Sequence, residues 1–109
     1  MSNILKIVVF VPKTHLKKVI LAIGDAGAGR IGNYSHCTFT SSGIGRYKPL
    51  DGAKPFIGKV DEFESVKEEK LEFICNRSIS KKVISEMRKA HPYEEVAFDI
   101  YELVSEKDL

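Results

Sequence analysis

His91-Pro92-Tyr93-Glu94-Glu95 places an imidazole, a phenol and two carboxylates in consecutive positions. Imidazole nitrogen and carboxylate oxygen both bind divalent transition metals, and a turn can aim them at one point. His91, Glu94 and Glu95 are therefore the candidate metal ligands, with His36, beside Cys37, the candidate from another segment. The cofactor this pattern points to is a divalent metal ion. A structural reading of the same residues stands beside it. Pro92 sets a turn, Tyr93 hydrogen-bonds the backbone, and the glutamates face solvent where a strand begins. In that reading His91 closes the preceding helix as a cation at its negative end. Cys37 reads as a core residue on a strand face, and His15 as solvated.

The second informative stretch runs from Gly27 to Gly58 and holds every glycine except Gly24. Gly27-Ala28-Gly29-Arg30-Ile31-Gly32 matches G-x-G-x-x-G letter for letter. The dinucleotide fingerprint needs those glycines after a strand and at the start of a helix, where the dipole is positive. Here they follow a helix pattern and lead into a strand, so they are expected to serve backbone geometry. Cys37, Cys75, the serines and the histidines show no nucleophile spacing or elbow motif, so no catalytic residue is assigned. The acidic run Asp61, Glu62, Glu64, Glu68, Glu69 and Glu72 reads as a solvated face.

These residues need a scaffold. Ile4 to Val11 is a β-branched apolar run ended by Pro12, the pattern of a central strand. Thr14 is a candidate cap for a helix carrying Leu16, Val19, Ile20 and Ile23, which Gly24 and Gly27 end. Cys37 to Ser41 alternates as a strand, broken or bulged by Gly43 and Gly45. Pro49, Gly52 and Pro55 punctuate a loop, with Phe56 to Gly58 a short extended piece. Val66 to Cys75 reads as the third strand. Ser78 or Ser80 caps a second helix with Ile79, Val83, Ile84 and Met87 on one face, stopped by His91-Pro92. Glu95 to Leu103 is the last strand. The order βαββαβ predicts an α+β, ferredoxin-like sandwich: an antiparallel sheet with both helices on one face.

At 109 residues, 43% hydrophobic and 29% charged, residues 1–109 read as a single domain with one modest core. A net charge of +2 with both signs interspersed argues against nucleic acid as a partner. No apolar run is long enough for a membrane span, and the N-terminus lacks the layout of a signal peptide. A cytoplasmic protein with free thiols at Cys37 and Cys75 is expected.

GAGRIGNYSHCTF, GIGRYKPLDGAKPFIG and AHPYEEVAFDIY, in that order, resemble the inserted central domain of YqfO-type proteins in the Nif-three-like family. The HPYE turn before a last strand also resembles CutA, whose ferredoxin-like fold is shared with PII proteins. That resemblance implies an oligomer, trimer or dimer, with strands pairing between subunits. It does not bring the larger family's dinuclear metal site, which flanking domains build. The expectation is a small PII- or CutA-like oligomer that binds a small ligand or metal ion as a sensor or accessory subunit. Its site would lie at a subunit cleft, with Arg30, Tyr34, Arg46 and Tyr47 from the glycine-rich stretch facing Tyr93. The alternative is an interaction module that docks on a protein partner without a ligand.

Overall fold

The computed structural model describes residues 3–109. Four strands, β1 (Ile4–Pro12), β2 (Phe39–Tyr47), β3 (Glu64–Asn76) and β4 (Phe98–Glu102), form one sheet in the order β2-β3-β1-β4. Every neighbouring pair is antiparallel. Helices α1 (Leu16–Asp25) and α2 (Ser80–Ala90) follow β1 and β3 and pack together. The expected ferredoxin-like βαββαβ sandwich is the fold observed.

Strand alternation decides which side chains the helices cover. Ile7, Val9 and Val11 of β1 lie opposite Phe73, Leu71 and Glu69 of β3. With Cys75, the apolar members of that set meet Val19 and Ile23 of α1 and Val83, Met87 and Ala90 of α2. Truncating a fully buried member such as Met87 to alanine costs about 2–5 kcal/mol. Cys37 and Cys75 are both free thiols, and only Cys75 belongs to this core.

Both helices begin in the same way, and not through the expected Thr14 and Ser78 or Ser80 caps. An extended residue, Pro12 or Asn76, leads into a single 3-10 turn, Lys13–His15 or Arg77–Ile79, which opens the helix without a side-chain cap. The Ser80 hydroxyl donates back to the Arg77 carbonyl at 2.7 Å instead. Gly43 and Gly45 were expected to break the second strand. They lie within β2, in register with Glu68 and Val66. β4 begins at Phe98, three residues later than expected, so Glu95 remains in the turn.

Helix α1 ends in a Schellman arrangement. The Ala28 N–H donates to the Ile23 carbonyl and the Gly27 N–H to the Gly24 carbonyl, both at 3.0 Å, with Gly27 at φ 108. The glycines of the false fingerprint thus serve geometry. Gly24 has a different role from the expected helix stop: a Cβ there would overlap the His36 ring.

Helix α2 ends at Ala90 because Pro92 drives His91 into extended conformation, φ −81 and ψ 137. His91 is 6% exposed and hydrogen-bonded through both nitrogens. Its Nε2–H donates to the Phe10 carbonyl of β1 at 2.7 Å, and Nδ1 accepts the Tyr93 N–H at 3.1 Å. A carbonyl cannot donate and an amide N–H cannot accept, so the ring is the neutral Nε2–H tautomer. Burial pushes its pKa down, against the Phe10 bond and the Glu68 charge, which push it up, while His15 adds to the fall. The expected cationic helix stop is corrected to a neutral pin between α2 and β1.

Two predictions follow from this geometry. Because His91 has a lower pKa folded than its unfolded value of about 6.5, the unfolded chain binds more protons between the two. Stability should fall as pH drops through that window, and His91→Gln should lack this loss. The melting-temperature gap between wild type and His91→Gln should therefore shrink from pH 7.5 to pH 5.5; a gap that widens would show a cationic imidazole. Gly27→Ala forces a Cβ onto left-handed backbone and against Ile79. It should cost about 1–2 kcal/mol, a drop in Tm of at least about 4 °C by thermal melting.

Candidate functional site

Beyond Pro12 of β1, the β2–β3 hairpin continues past the rest of the sheet, and the chain measures 49 × 25 × 23 Å. The segment after β2 folds back from the hairpin end. Its Phe56 ring meets His15, at the start of α1, edge-on at 5.5 Å, and its Lys54 N–H donates to Glu94 Oε1 at 3.1 Å. The Tyr47 hydroxyl holds it from below by donating to the Ile57 carbonyl at 2.6 Å. Between this loop, the glycine-bearing part of β2 and the HPYEE turn lies a cleft of about 650 Å³.

The floor of the cleft is Glu68, which is only 8% exposed. By strand alternation Glu68 shares the helix-free face of the sheet with Lys70, Phe10, Gly43, Gly45 and Tyr47. Gly45 makes its place: a Cβ at that position would collide with Glu68 Oε1. The other oxygen, Oε2, accepts the Tyr93 hydroxyl at 2.8 Å. Tyr93 is thereby fixed at both ends, its backbone N–H on His91 and its phenol on Glu68. Burial first, then the Glu68 bond and charge, raise the Tyr93 pKa far above its ordinary value, so the phenol stays a donor. Tyr47 is raised too, by burial and then by Glu64 and Glu68. Around Tyr93 stand His91 at 4.8 Å, Tyr47 at 6.3 Å and Phe56 at 6.4 Å between ring centroids.

Of the five expected ligand contacts, Arg46, Tyr47 and Tyr93 line this cleft. Arg30 and Tyr34 do not. They belong to an exposed loop after α1, closed by mutual backbone hydrogen bonds of 3.0 Å between Ile31 and Tyr34. The four expected metal ligands do not converge. His91 has both nitrogens committed, and His36 lies against Gly24 with Nε2 on Asp25 and Nδ1 on the Ser35 hydroxyl, each at 2.9 Å. Glu94 and Glu95 line the cleft without an imidazole to join them. Among the described residues no three His, Cys, Asp or Glu side chains cluster as a metal site.

Glu68, Gly45 and Phe56 shape the cleft, and the sequence offered them only as part of a solvated face, a strand break or bulge and a short extended piece. Glu68 and Glu69 were expected in a solvated acidic face, yet both are 8% exposed, on opposite faces of β3. Glu69 accepts the Ser42 hydroxyl at 3.1 Å on the helix side. The available signal was glycine at alternate positions of the partner strand, which leaves room above it on one face.

No protein-family model matches the chain. It is 59% identical over 96 residues to the GTP cyclohydrolase 1 type 2 homolog of Bacillus subtilis, covering 88% of this chain and 26% of that protein. The Mycobacterium tuberculosis protein of the same name is 44% identical over 99 residues, 91% of this chain and 26% of the relative. The chain thus spans about a quarter of the relatives it matches. Among solved structures, a Bacillus cereus protein related to NIF3 superposes with a TM-score of 0.83 at 49% identity, over 95% of this chain and 26% of that one. CutA from Xylella fastidiosa superposes with a TM-score of 0.69 at 14% identity, over 95% and 86% of the two chains, a likeness of fold. Sequence identity sustained along most of its length, joined to that structural match, shows this chain to be homologous to a segment that makes up about a quarter of the NIF3-related (Nif-three-like) proteins, with the fold of CutA.

Proposed function

We propose that this chain is a PII/CutA-like ligand-binding module whose cleft takes a small organic molecule, and that it works as a homo-oligomeric sensor or accessory subunit in the cytoplasm. One observation carries the reading. Glu68, 8% exposed, accepts the Tyr93 hydroxyl inside a cleft of about 650 Å³ that Phe10, Tyr47, Phe56 and Tyr93 line. Gly45 leaves room for that side chain, since a Cβ there would meet Glu68 Oε1. A pocket of a few hundred Å³, mostly apolar with a few placed polar groups, is the usual form of a small-molecule site.

The small-molecule reading stands ahead of the metal reading, because the four residues expected to hold a metal are dispersed or already bonded. CutA from Archaeoglobus fulgidus is described as a periplasmic divalent cation tolerance protein, but at 11% identity the likeness is one of fold. The cyclohydrolase in the relatives' name belongs to proteins of which this chain spans about a quarter.

Self-association has its own support. β2 and β4 are the sheet edges, and Phe39, Ile44, Phe63 and Tyr101 expose large apolar side chains. Light scattering at micromolar concentration should give a dimer or trimer, and a monomer would remove the oligomer from the proposal.

Ligand binding is tested by ligand-detected NMR on a diverse set of small organic compounds at millimolar concentration. Gly45→Leu pushes a side chain into the Glu68 position, and Phe56→Ala removes a wall from an exposed loop with little demand on the core. Compounds that bind wild type should lose about tenfold or more in affinity, about 1.4 kcal/mol, in both variants. Hits that bind all three forms equally, or no hits at all, would sink the cleft as the site.

A further inference from the structure

The sheet is open at β4, and the hydrogen-bond ladder decides which backbone groups that edge offers. On either side of β4 the Phe10 N–H donates to the Ala97 carbonyl and the Leu103 N–H to the Ile4 carbonyl, both at 3.2 Å. In the β1–β4 register these pairs belong to one antiparallel ladder, where bonded residues recur at every second position. Asp99 and Tyr101 therefore turn their backbone groups toward β1, and Phe98, Ile100 and Glu102 turn theirs away from the sheet. β4 is an outer strand, so no described strand meets them. Such a row is a template for one more strand.

The side chains of those same residues face the helix layer, since Ile100 and Phe98 lie opposite the core residues Ile7 and Val9. Between them and α2 runs an open groove of about 550 Å³, on the other face of the sheet from Glu68. Ile84, Phe98 and Ile100 form its apolar part, and Ile100 is 48% exposed. Lys81, Arg88 and Lys89 supply its charges, and no carboxylate belongs to the lining. The bias extends along the helix: residues 77–90 hold Arg77, Lys81, Lys82, Arg88 and Lys89 against the carboxylate of Glu86. Glu86 is on Lys89 at 3.3 Å, and Glu102 is on Arg77 at 2.8 Å. Among the described residues neither Lys81 nor Arg88 is ion-paired, and Arg88 lies over the Phe98 ring, 5.1 Å from its centroid.

We propose that this edge docks an extended acidic segment of a partner protein, paired to β4 as a fifth strand with alternate side chains in the α2 groove. Main-chain pairing supplies affinity, and the groove's treatment of alternate side chains supplies selectivity. The residue opposite Ile100 shares its face, where an apolar side chain covers exposed apolar surface. Residues two positions to either side share that face too, and a carboxylate there meets a basic rim with two cations uncommitted. On the other face the segment meets Asp99 and Tyr101, so its acids belong at alternate positions only. A basic segment sets like charge against Lys81 and Arg88. A helical one leaves the outward groups of Phe98, Ile100 and Glu102 without main-chain partners.

Three capped peptides separate charge from strand pairing. The first is Thr-Glu-Thr-Val-Thr-Glu-Thr, which puts glutamate, valine and glutamate on one face of a strand. The second has lysine for both glutamates. The third is the first N-methylated at its valine and glutamates, the positions whose N–H groups face β4. Each is titrated into the full chain while the backbone amides of Phe98, Ile100 and Glu102 are followed by NMR. The acidic peptide should shift these amides with an affinity about tenfold or more above the other two. Lys81→Glu combined with Arg88→Glu, both on the exposed side of α2, should turn the preference to the lysine peptide with the core resonances in place. An acidic fifth strand is ruled out if the lysine peptide binds wild type as well as the acidic one, if N-methylation costs nothing, or if no peptide moves these amides at millimolar concentration. It is ruled out also if the same amides move on dilution of the protein alone, since a second copy then holds the edge.

Discussion

A carboxylate can lie flat against a β-sheet only where the neighbouring strand has no side chain to occupy the same space. Glu68 and Gly45 meet that condition, and much of the distal half of the molecule is arranged by it. The bare backbone at Gly45 lets Glu68 lean across β2 instead of standing out to water. Once there, it accepts the Tyr93 hydroxyl. Tyr93 in turn organises the aromatic group to which Tyr47, Phe56 and His91 belong. A side chain at position 45 would lift the carboxylate and remove the partner that orients the ring.

A hydrogen-bond path carries this constraint back into the fold. Glu68 holds the Tyr93 phenol, the Tyr93 N–H rests on His91, and His91 donates to the Phe10 carbonyl of β1. Each bond is modest alone, about 1 kcal/mol net, but leaving a buried partner unmade costs about 1–3 kcal/mol. The path spans β3, the turn after α2 and β1, so the cleft's geometry is tied to the register of central strands. That tie explains why His91 is neutral. A charged ring would need both nitrogens to donate, and the Tyr93 N–H could then no longer rest on Nδ1.

The fold was legible in the sequence because its signals are periodic. Ile7, Val9 and Val11 alternate, while Val19 and Ile23 or Val83 and Met87 recur at helical spacing, and Pro92 stops α2 by a local steric rule. The site was legible only in part. Tyr47, Arg46 and Tyr93, singled out because unusual residues at turns are few, line one cleft. Arg30 and Tyr34 were assigned with them because they are neighbours in sequence, but α1 and the Schellman turn carry them to a separate loop. His91 looked like a ligand because residue type and spacing say nothing of whether both nitrogens are already bonded. Glu68 was hidden among six acidic residues, and its burial depends on cross-strand register with Gly43 and Gly45, a long-range pairing that no local pattern encodes. The two glycines were legible as glycines, but reading them as strand breaks concealed what they make room for.

The likeness to CutA at 14% identity establishes the scaffold and leaves its chemistry open. What distinguishes one such scaffold from another is what the hairpin and the turn after the second helix bring together. Here they bring a buried glutamate, a phenol held as a donor, and the rings of Tyr47 and Phe56 against Tyr93. Arg46, Lys48 and Lys70 stand against Glu68, Glu94 and Glu95 in the lining, and among the described residues no imidazole joins those carboxylates there. The chemistry of the cleft therefore follows from its own lining more directly than from kinship.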